Sequence, residues 1–112
     1  MKGDEAYLRH MLDACADIQE FLPASKPELA RDRKSLAALV GCFQVLGETA
    51  KRVSDDFKRS TPQPPWREMT GMRDVLVHDY LAIDVNVVWN VAANDVPRLR
   101  AQLAALIEAK KP

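Results

Sequence analysis

The sequence lacks the features that define several large classes of protein. Its 112 residues contain only two cysteines, and Cys15 and Cys42 lie far apart without a CxxC pair. A disulfide framework or a zinc site is therefore not expected, and each thiol is expected to behave as a small buried apolar side chain. No apolar run approaches the roughly 18 residues of a membrane-spanning helix, and residues 1–10 lack the apolar core of a signal peptide. These absences predict a cytoplasmic protein without membrane contact.

The sequence also has no excess of charge of either sign. Sixteen basic residues balance sixteen acidic ones, so no overall positive field attracts nucleic acid. Any contact with RNA has to come from a local patch, for which Lys51-Arg52 and Lys58-Arg59 are the candidates. The alternative for both pairs is an ordinary solvated helix face.

Apolar residues recur every three or four positions along most of the chain, a spacing that predicts helices. The first stripe predicts a helix over about residues 4–22, ended by Pro23. Ser25 and Glu28 have the spacing of a capping box, and we expect a long second helix to follow them and continue to about Phe57.

Two glycines lie inside the predicted second helix. Gly41 and Gly47 each cost about 1 kcal/mol relative to alanine in a helix interior. We therefore expect a neighbouring helix to pack closely where a side chain is missing.

The second half of the chain contains the clearest interruption. Three prolines within residues 60–65 exclude a helix there, and a third helix is predicted from Trp66 to about His78 or Tyr80. Trp66 and Trp89 lie on apolar stripes and are expected to be core residues and not platforms for stacked bases.

Asp84 is expected to cap a fourth helix. Pro97 then either starts a fifth helix capped by Asp95 or kinks the fourth. Residues 1–112 are thus expected to form one domain, an all-α, up-and-down bundle of four or five helices.

The candidate catalytic segment lies at the end of the predicted third helix. Arg73 and Tyr80 are seven residues apart and fall on nearly the same helix face. Arg73 and His78 are five apart and diverge by about 140° on an ideal helix. They can act together if the helix ends near His78, or if a twofold axis brings two copies of the segment face to face in a homodimer.

These residue types suit RNA cleavage without a metal ion. Histidine can serve as base or acid near neutral pH, and arginine offers a planar cation to phosphate oxygens. With two histidines, His10 and His78, and no HExxH-like spacing, the sequence predicts no metal site and no cofactor. His10 is expected at the surface.

The order Arg73, four residues, His78, one residue, Tyr80 resembles the motif of HEPN-domain toxins of the HepT type. The similarity extends along most of the chain. It includes the Gly47-Glu48 helix segment, Pro64-Pro65-Trp66, Asp84, Trp89 and the segment Asp95-Val96-Pro97-Arg98-Leu99. Where that family usually has Asn after the motif arginine, this chain has Asp74, which could pair with Arg73.

The resemblance implies a homodimeric HEPN bundle that acts as the toxin of a type VII toxin–antitoxin module. The catalytic residues would be Arg73 and His78 of an endoribonuclease. The partner would be a minimal nucleotidyltransferase antitoxin of the MntA type, which silences the nuclease by transferring AMP to Tyr80. Glu48 would either hold Arg73 in place or only stabilise its own helix with Arg52. The alternative function is that of a non-catalytic HEPN subunit that binds a nucleotide or substrate for a nucleotidyltransferase.

Overall fold

The computed structural model describes residues 2–77 and 83–110, and for Lys2 and residues 72–77 it describes the backbone alone. All regular structure within these ranges is helical, which confirms the all-α prediction. No helix of the described ranges has the length and apolar character needed to cross a membrane. The elements are α1 (Lys2–Phe21), α2 (Lys26–Arg31), α3 (Arg33–Arg52), α4 (Asp55–Ser60), α5 (Trp66–Val77), α6 (Val85–Asn90), a π-helical segment (Val91–Asp95) and α7 (Val96–Ala109).

The helix α3 lies at the centre of the bundle. It packs against α1 on one side and α5 on another, and it also contacts α2 and α6, while α7 packs on α1. Every third or fourth residue of α3 is therefore buried, as its apolar stripe predicts. The buried residues of α3 are Leu39, Val40, Phe43, Leu46, Gly47 and Ala50. They meet a stripe on α1 that consists of Leu8, Met11, Cys15 and Ile18, all without exposed surface.

The predicted second helix is wrong as a single element, because the chain breaks it twice. Asp32 leaves helical geometry at φ −113° and ψ 91° and accepts a hydrogen bond from the backbone N–H of Ser35 at 3.1 Å. Val53 leaves it at φ −64° and ψ 138°, and Ser54 then caps α4. Short polar side chains compete in this way with the helical hydrogen bonds. The apolar period continues across both breaks, so periodicity alone did not indicate them.

For the last helices the structure excludes one of the two alternatives, the separate fifth helix capped by Asp95. Asp84 caps α6, as predicted, by accepting from the N–H groups of Asn86 at 2.9 Å and Val87 at 3.4 Å. Asp95 has helical geometry and caps nothing, so the chain stays helical from α6 into α7. The wider π turn directly before Pro97 is where the helix accommodates a residue that lacks an N–H donor.

The close approach expected at Gly41 is not found among the described residues. A Cβ atom built on Gly41 would meet nothing within 4 Å. Gly47, in contrast, is buried in the core. The first glycine therefore faces open space that no helix of the described chain occupies.

A buried carboxylate that the sequence did not indicate joins the first helix to the α3–α4 junction. The Asp4 side chain is 4% exposed and accepts hydrogen bonds from the backbone N–H of Ser54 at 2.9 Å and from its Oγ at 2.7 Å. Ser54 Oγ in turn accepts from the N–H of Phe57 at 3.2 Å. The contact fixes α1 antiparallel to α3, with Asp4 level with the end of α3.

Candidate functional site

The backbone of α5 carries the first half of the predicted catalytic motif. Arg73 and Asp74 lie in the C-terminal half of this helix, which begins at Trp66 as predicted. Their side chains, and the whole of His78 and Tyr80, lie outside the described residues. The convergence of Arg73, His78 and Tyr80 therefore stays a prediction.

The N-terminal end of α5 is fixed by a set of specific contacts. Trp66 is 8% exposed, and its Nε1 donates a hydrogen bond to the carbonyl of Thr61 at 2.9 Å. Its ring meets the edge of Phe57 at a centroid distance of 6.1 Å, and Met69 one turn later is fully buried. Trp66 is thus a core residue, as predicted, and Trp89 is a partly buried side chain packed on the core. These contacts fix the start of α5 on α4 and the core, and the helix also packs against α3.

Glu48 and Arg52 share a groove between α1 and α3. The groove is also lined by Tyr7, His10, Gln44, Val45 and Thr49. Glu48 is half-buried, whereas Lys51 and Arg52 are exposed in the last turn of α3. Cations at a helix C-terminus interact favourably with the helix dipole, so this placement fits a structural role as well as phosphate contact. A contact of Glu48 with Arg73 stays a prediction.

The second basic pair, Lys58-Arg59, has acidic neighbours. Arg59 pairs with Asp56 on the surface of α4. The groove that both basic residues line also contains Asp55, Glu68 and Arg67. The acidic side chains lower the positive potential around Lys58-Arg59, which disfavours phosphate binding there. Lys51-Arg52 is therefore the better candidate for a phosphate patch.

His10 is exposed, as predicted, but the sequence analysis did not indicate that it lines a groove. It lies where the α1–α3 groove passes from its polar end to an apolar end lined by Phe21, Ala38 and Gly41. The available signal was a second stripe on α1, beside the core stripe, in which His10, Asp13, Asp17 and Phe21 follow at three- and four-residue spacing.

Comparison with known proteins identifies the family. The family model described as "Ribonuclease HepT-like" matches residues 11–106. The chain belongs to the HepT-like ribonuclease family. It is 36% identical over 106 residues to the "Probable ribonuclease HepT" of Thermococcus cleftensis, an alignment that covers 94% of this chain and 96% of that protein. It is 28% identical over 112 residues to the "Putative RNase TTE0752" of Caldanaerobacter subterraneus subsp. tengcongensis, with 99% and 100% covered.

A third relative is the "Putative RNase MJ0127" of Methanocaldococcus jannaschii. It is 31% identical over 108 residues, which cover 96% of this chain and 89% of the relative. The comparison with solved structures gives no match. The region matched by the HepT-like model contains all of α5 and the predicted motif, so the candidate catalytic residues fall inside the matched domain.

Thiols and metal ligands contribute no alternative site among the described residues. Cys15 and Cys42 are free, and burial raises the pKa of the Cys15 thiol to about 12. Burial and the nearby Asp17 carboxylate also raise the pKa of Cys42. Neither thiol is activated as a nucleophile, because a reactive cysteine needs a lowered pKa. Within the described ranges, no three His, Cys, Asp or Glu side chains group in a way that could hold a metal ion.

Proposed function

We propose that this HepT-like protein is a metal-independent endoribonuclease that acts as the toxin of a cytoplasmic type VII toxin–antitoxin module. The observation that carries the proposal is the Arg73–His78–Tyr80 spacing, which starts on α5 inside a domain of the HepT-like ribonuclease family. The ribonuclease names of the relatives support the reaction class. The toxin role rests on the family resemblance of the motif.

The proposed reaction is an in-line transfer at an RNA phosphate. One histidine removes the proton from the ribose 2′-OH, and the 2′-oxygen attacks phosphorus as the bond to the 5′-oxygen breaks. A second histidine protonates the leaving 5′-oxygen, and the RNA fragment upstream ends in a 2′,3′-cyclic phosphate. General acid–base catalysis of this kind contributes about 10²–10⁴ in rate. Arg73 stabilises the charge that develops on the phosphate oxygens.

A homodimer supplies both histidines. Each chain has one motif histidine, His78, so two copies facing across a twofold axis can divide the roles of base and acid. This arrangement also relieves the divergence of about 140° between Arg73 and His78 on one helix.

Four further residues would support the catalytic Arg73 and His78. Glu48 and Asp74 would orient the Arg73 guanidinium. Lys51 and Arg52, exposed at the end of α3, would bind RNA phosphates away from the cut. Acidic partners restrain an arginine but also compete with phosphate for it, so their removal should change both affinity and rate.

The first experiment measures RNA cleavage by the purified protein with and without EDTA. We expect cleavage that survives chelation and products that end in cyclic phosphate or 3′-phosphate. His78→Ala and Arg73→Ala should each lose about 10²–10⁴ in rate, and Arg73→Lys should lose most activity because an ammonium group lacks the bidentate geometry.

Arg67→Ala is the matched control, because Arg67 is an exposed arginine on the same helix outside the motif. It should cleave RNA at the wild-type rate. Wild-type cleavage by His78→Ala would refute the mechanism. A wild-type protein that binds nucleotide and cleaves no RNA would favour the non-catalytic role.

The second experiment tests the proposed silencing. Co-expression with a minimal nucleotidyltransferase should add one AMP per modified chain, mapped by mass spectrometry to Tyr80 and not to Tyr7, the only other tyrosine. The added phosphate would engage Arg73 through charge-assisted hydrogen bonds and repel the RNA backbone. Tyr80→Phe should retain nuclease activity and resist silencing. Silencing of Tyr80→Phe to the wild-type extent would contradict the proposal.

A further inference from the structure

The junction between α2 and α3 carries a basic segment that the proposed chemistry does not use. Arg31 ends α2, and Arg33 and Lys34 begin α3 on the other side of Asp32. All three basic side chains are exposed, and none of them forms an ion pair with a described residue. We call Arg31, Arg33 and Lys34 the junction patch.

The acidic residues beside the junction patch leave it with a surplus of positive charge. Asp32 accepts hydrogen bonds from Ser35 Oγ at 2.7 Å and from the Ser35 N–H at 3.1 Å. Both bonds lower the pKa of the Asp32 carboxyl group and hold it as the cap of α3. The other acidic neighbour is Glu28, one turn before Arg31. Along α3 the next acidic residue is Glu48, about four turns further on.

Two cations of the junction patch are unfavourable for the helix that carries them. Arg33 and Lys34 lie in the first turn of α3, which contains no acidic residue. The N-terminal end of a helix has a partial positive charge, so cations there lower helix stability. Neither side chain donates a hydrogen bond to a described residue. The stability of α3 therefore does not account for these cations, whereas an anionic ligand would offset their repulsion.

The fold places the junction patch in the direction in which α5 runs. Trp66, the first residue of α5, lies beside Phe57 just after the C-terminal end of α3, with the ring centroids 6.1 Å apart. Since α5 packs against α3, it can follow α3 only towards the N-terminal end of that helix. Because α5 is about 18 Å long and α3 about 30 Å, the junction patch lies beyond the end of α5.

The helix that follows the motif is also close to the junction patch. α2 packs against α6, and Lys26 Nζ donates a hydrogen bond to Asn86 Oδ1 at 3.1 Å. Asp84, the cap of α6, comes six residues after His78, and six residues of chain span at most about 21 Å. The helices on both sides of the motif thus lead to the end of the bundle that carries the patch.

A chain of phosphates is the anion that suits this surface. An arginine guanidinium matches the oxygens of a phosphate in a bidentate geometry, and rows of cations follow the backbone of single-stranded nucleic acid. Lys51 and Arg52 lie about 27 Å away, at the opposite end of α3. One RNA strand that crosses the motif would therefore meet the two basic regions at different phosphates.

We propose that Arg31, Arg33 and Lys34 bind the phosphates of the RNA strand where it continues past the motif. The inference rests on the proposed endoribonuclease and names a second contact of its substrate. The junction patch holds the strand by charge and reads no base, so it raises the affinity for single-stranded RNA of any sequence.

The test is the binding of a fluorescein-labelled RNA of about 20 nucleotides, measured by fluorescence anisotropy between about 50 and 200 mM salt. Every 2′-OH of this RNA is replaced by a 2′-O-methyl group, so it binds without being cleaved. Arg31→Gln/Arg33→Gln/Lys34→Gln should raise Kd at least tenfold at the lowest salt. Each lost phosphate contact lowers the slope of log K against log salt by about 0.7, so the triple variant should lower it by about 2.

Lys58→Gln/Arg59→Gln/Arg67→Gln is the matched control, because it also removes three basic side chains. These three line a groove with Asp55 and Glu68. The control should keep the wild-type slope and change Kd less than twofold.

Two further variants separate charge and stability from geometry. Arg31→Lys/Arg33→Lys keeps all charges of the patch and should retain the wild-type slope. Arg33→Gln/Lys34→Gln should melt at or above the wild-type Tm, because two cations leave the positive end of α3. A Tm several degrees lower would assign these residues to the stability of the helix instead.

Three results would overturn the inference: no RNA binding by the wild type, wild-type affinity in the junction triple variant, or an equal loss of affinity in the control. An unchanged Kd together with a changed mass in light scattering would assign the patch to a protein partner. None of these measurements depends on cleavage. If the junction variant loses affinity while no form of the protein cleaves RNA, the patch stands and the nuclease proposal fails. If the junction variant binds and cleaves RNA as the wild type does, the nuclease stands and the patch fails.

Discussion

Replacement of Asp4 should destabilise the protein more than replacement of any neighbouring charged residue. The Asp4 carboxylate is 4% exposed and accepts two short hydrogen bonds, from the N–H and the Oγ of Ser54. Hydrogen bonds to a charged group contribute about 1.5–3 kcal/mol, and a buried donor left without an acceptor costs a further amount of about 1–3 kcal/mol. Because the effects overlap, we expect Asp4→Ala to lower the free energy of unfolding by about 3 kcal/mol.

The loss can be measured as a shift in melting temperature. A chain of 112 residues has an unfolding entropy of about 0.24 kcal/mol per K, so Asp4→Ala should lower Tm by about 12 °C. Asp4→Asn keeps an oxygen for the Ser54 N–H and should lose about 1 kcal/mol. Glu5→Ala is the control, because Glu5 makes an exposed ion pair with Arg9 at 3.3 Å, and such pairs contribute about 0–1 kcal/mol.

The stability that Asp4 contributes should also depend on pH, and it should decrease in acid. Burial raises the pKa of Asp4, but the backbone and side-chain hydrogen bonds from Ser54 outweigh it, so the net pKa lies below the ordinary value. A carboxyl group with a lowered pKa stabilises the fold above its unfolded-state pKa and loses that contribution as the pH falls through its folded-state pKa. The difference in Tm between wild type and Asp4→Asn should therefore be constant near neutral pH and shrink below about pH 4. A Tm for Asp4→Ala equal to that of Glu5→Ala, or a difference that grows in acid, would refute the reasoning.

Two further predictions concern the cap of α6 and the thiols. Asp84→Ala should lower the free energy of unfolding by about 1 kcal/mol, the usual effect of losing an N-cap, because two backbone donors lose their acceptor; Asp84→Asn should retain most of the stability in the same thermal melt. With its pKa raised to about 12 by burial, Cys15 should resist alkylation at pH 8 in the folded protein and react after denaturation, and rapid labelling of the native Cys15 would contradict its burial.

The elements that the sequence predicted well are those with strong local signals. The first helix, the proline interruption before Trp66 and the Asp84 cap each depend on residues within one or two turns. The buried stripe of α1 also follows directly from its spacing.

The breaks at Asp32 and Val53 were missed because they leave the apolar period intact. Asp32 ends α2 and caps α3 with the same side chain, which in sequence is only one more polar residue on an exposed face. The break at Val53 is stabilised by Asp4, fifty residues from Ser54. A contact across that separation forms only when the helices pack together, so no local sequence pattern indicates it.

The same distinction between local signals and long-range contacts applies to the candidate site. The motif could be recognised because Arg73, His78 and Tyr80 lie within eight residues of sequence. The groove that contains Glu48 and Arg52 could not, because Tyr7 and His10 of its lining come from α1. The sequence indicates Glu48 only as a partner for Arg52 or Arg73. Nothing in its local pattern connects Glu48 or Arg52 with Tyr7 or His10.

The position of α3 connects the predicted motif with the α1–α3 groove. One side of α3 packs against α5, the helix that leads into the motif, and another side forms the floor of the α1–α3 groove. Any change that tilts α3, whether at the Asp4–Ser54 contact or at Gly41, would move both surfaces together. The break after Arg52 ends α3 at the polar end of this groove, and α4 and the proline segment then lead the chain to the start of α5.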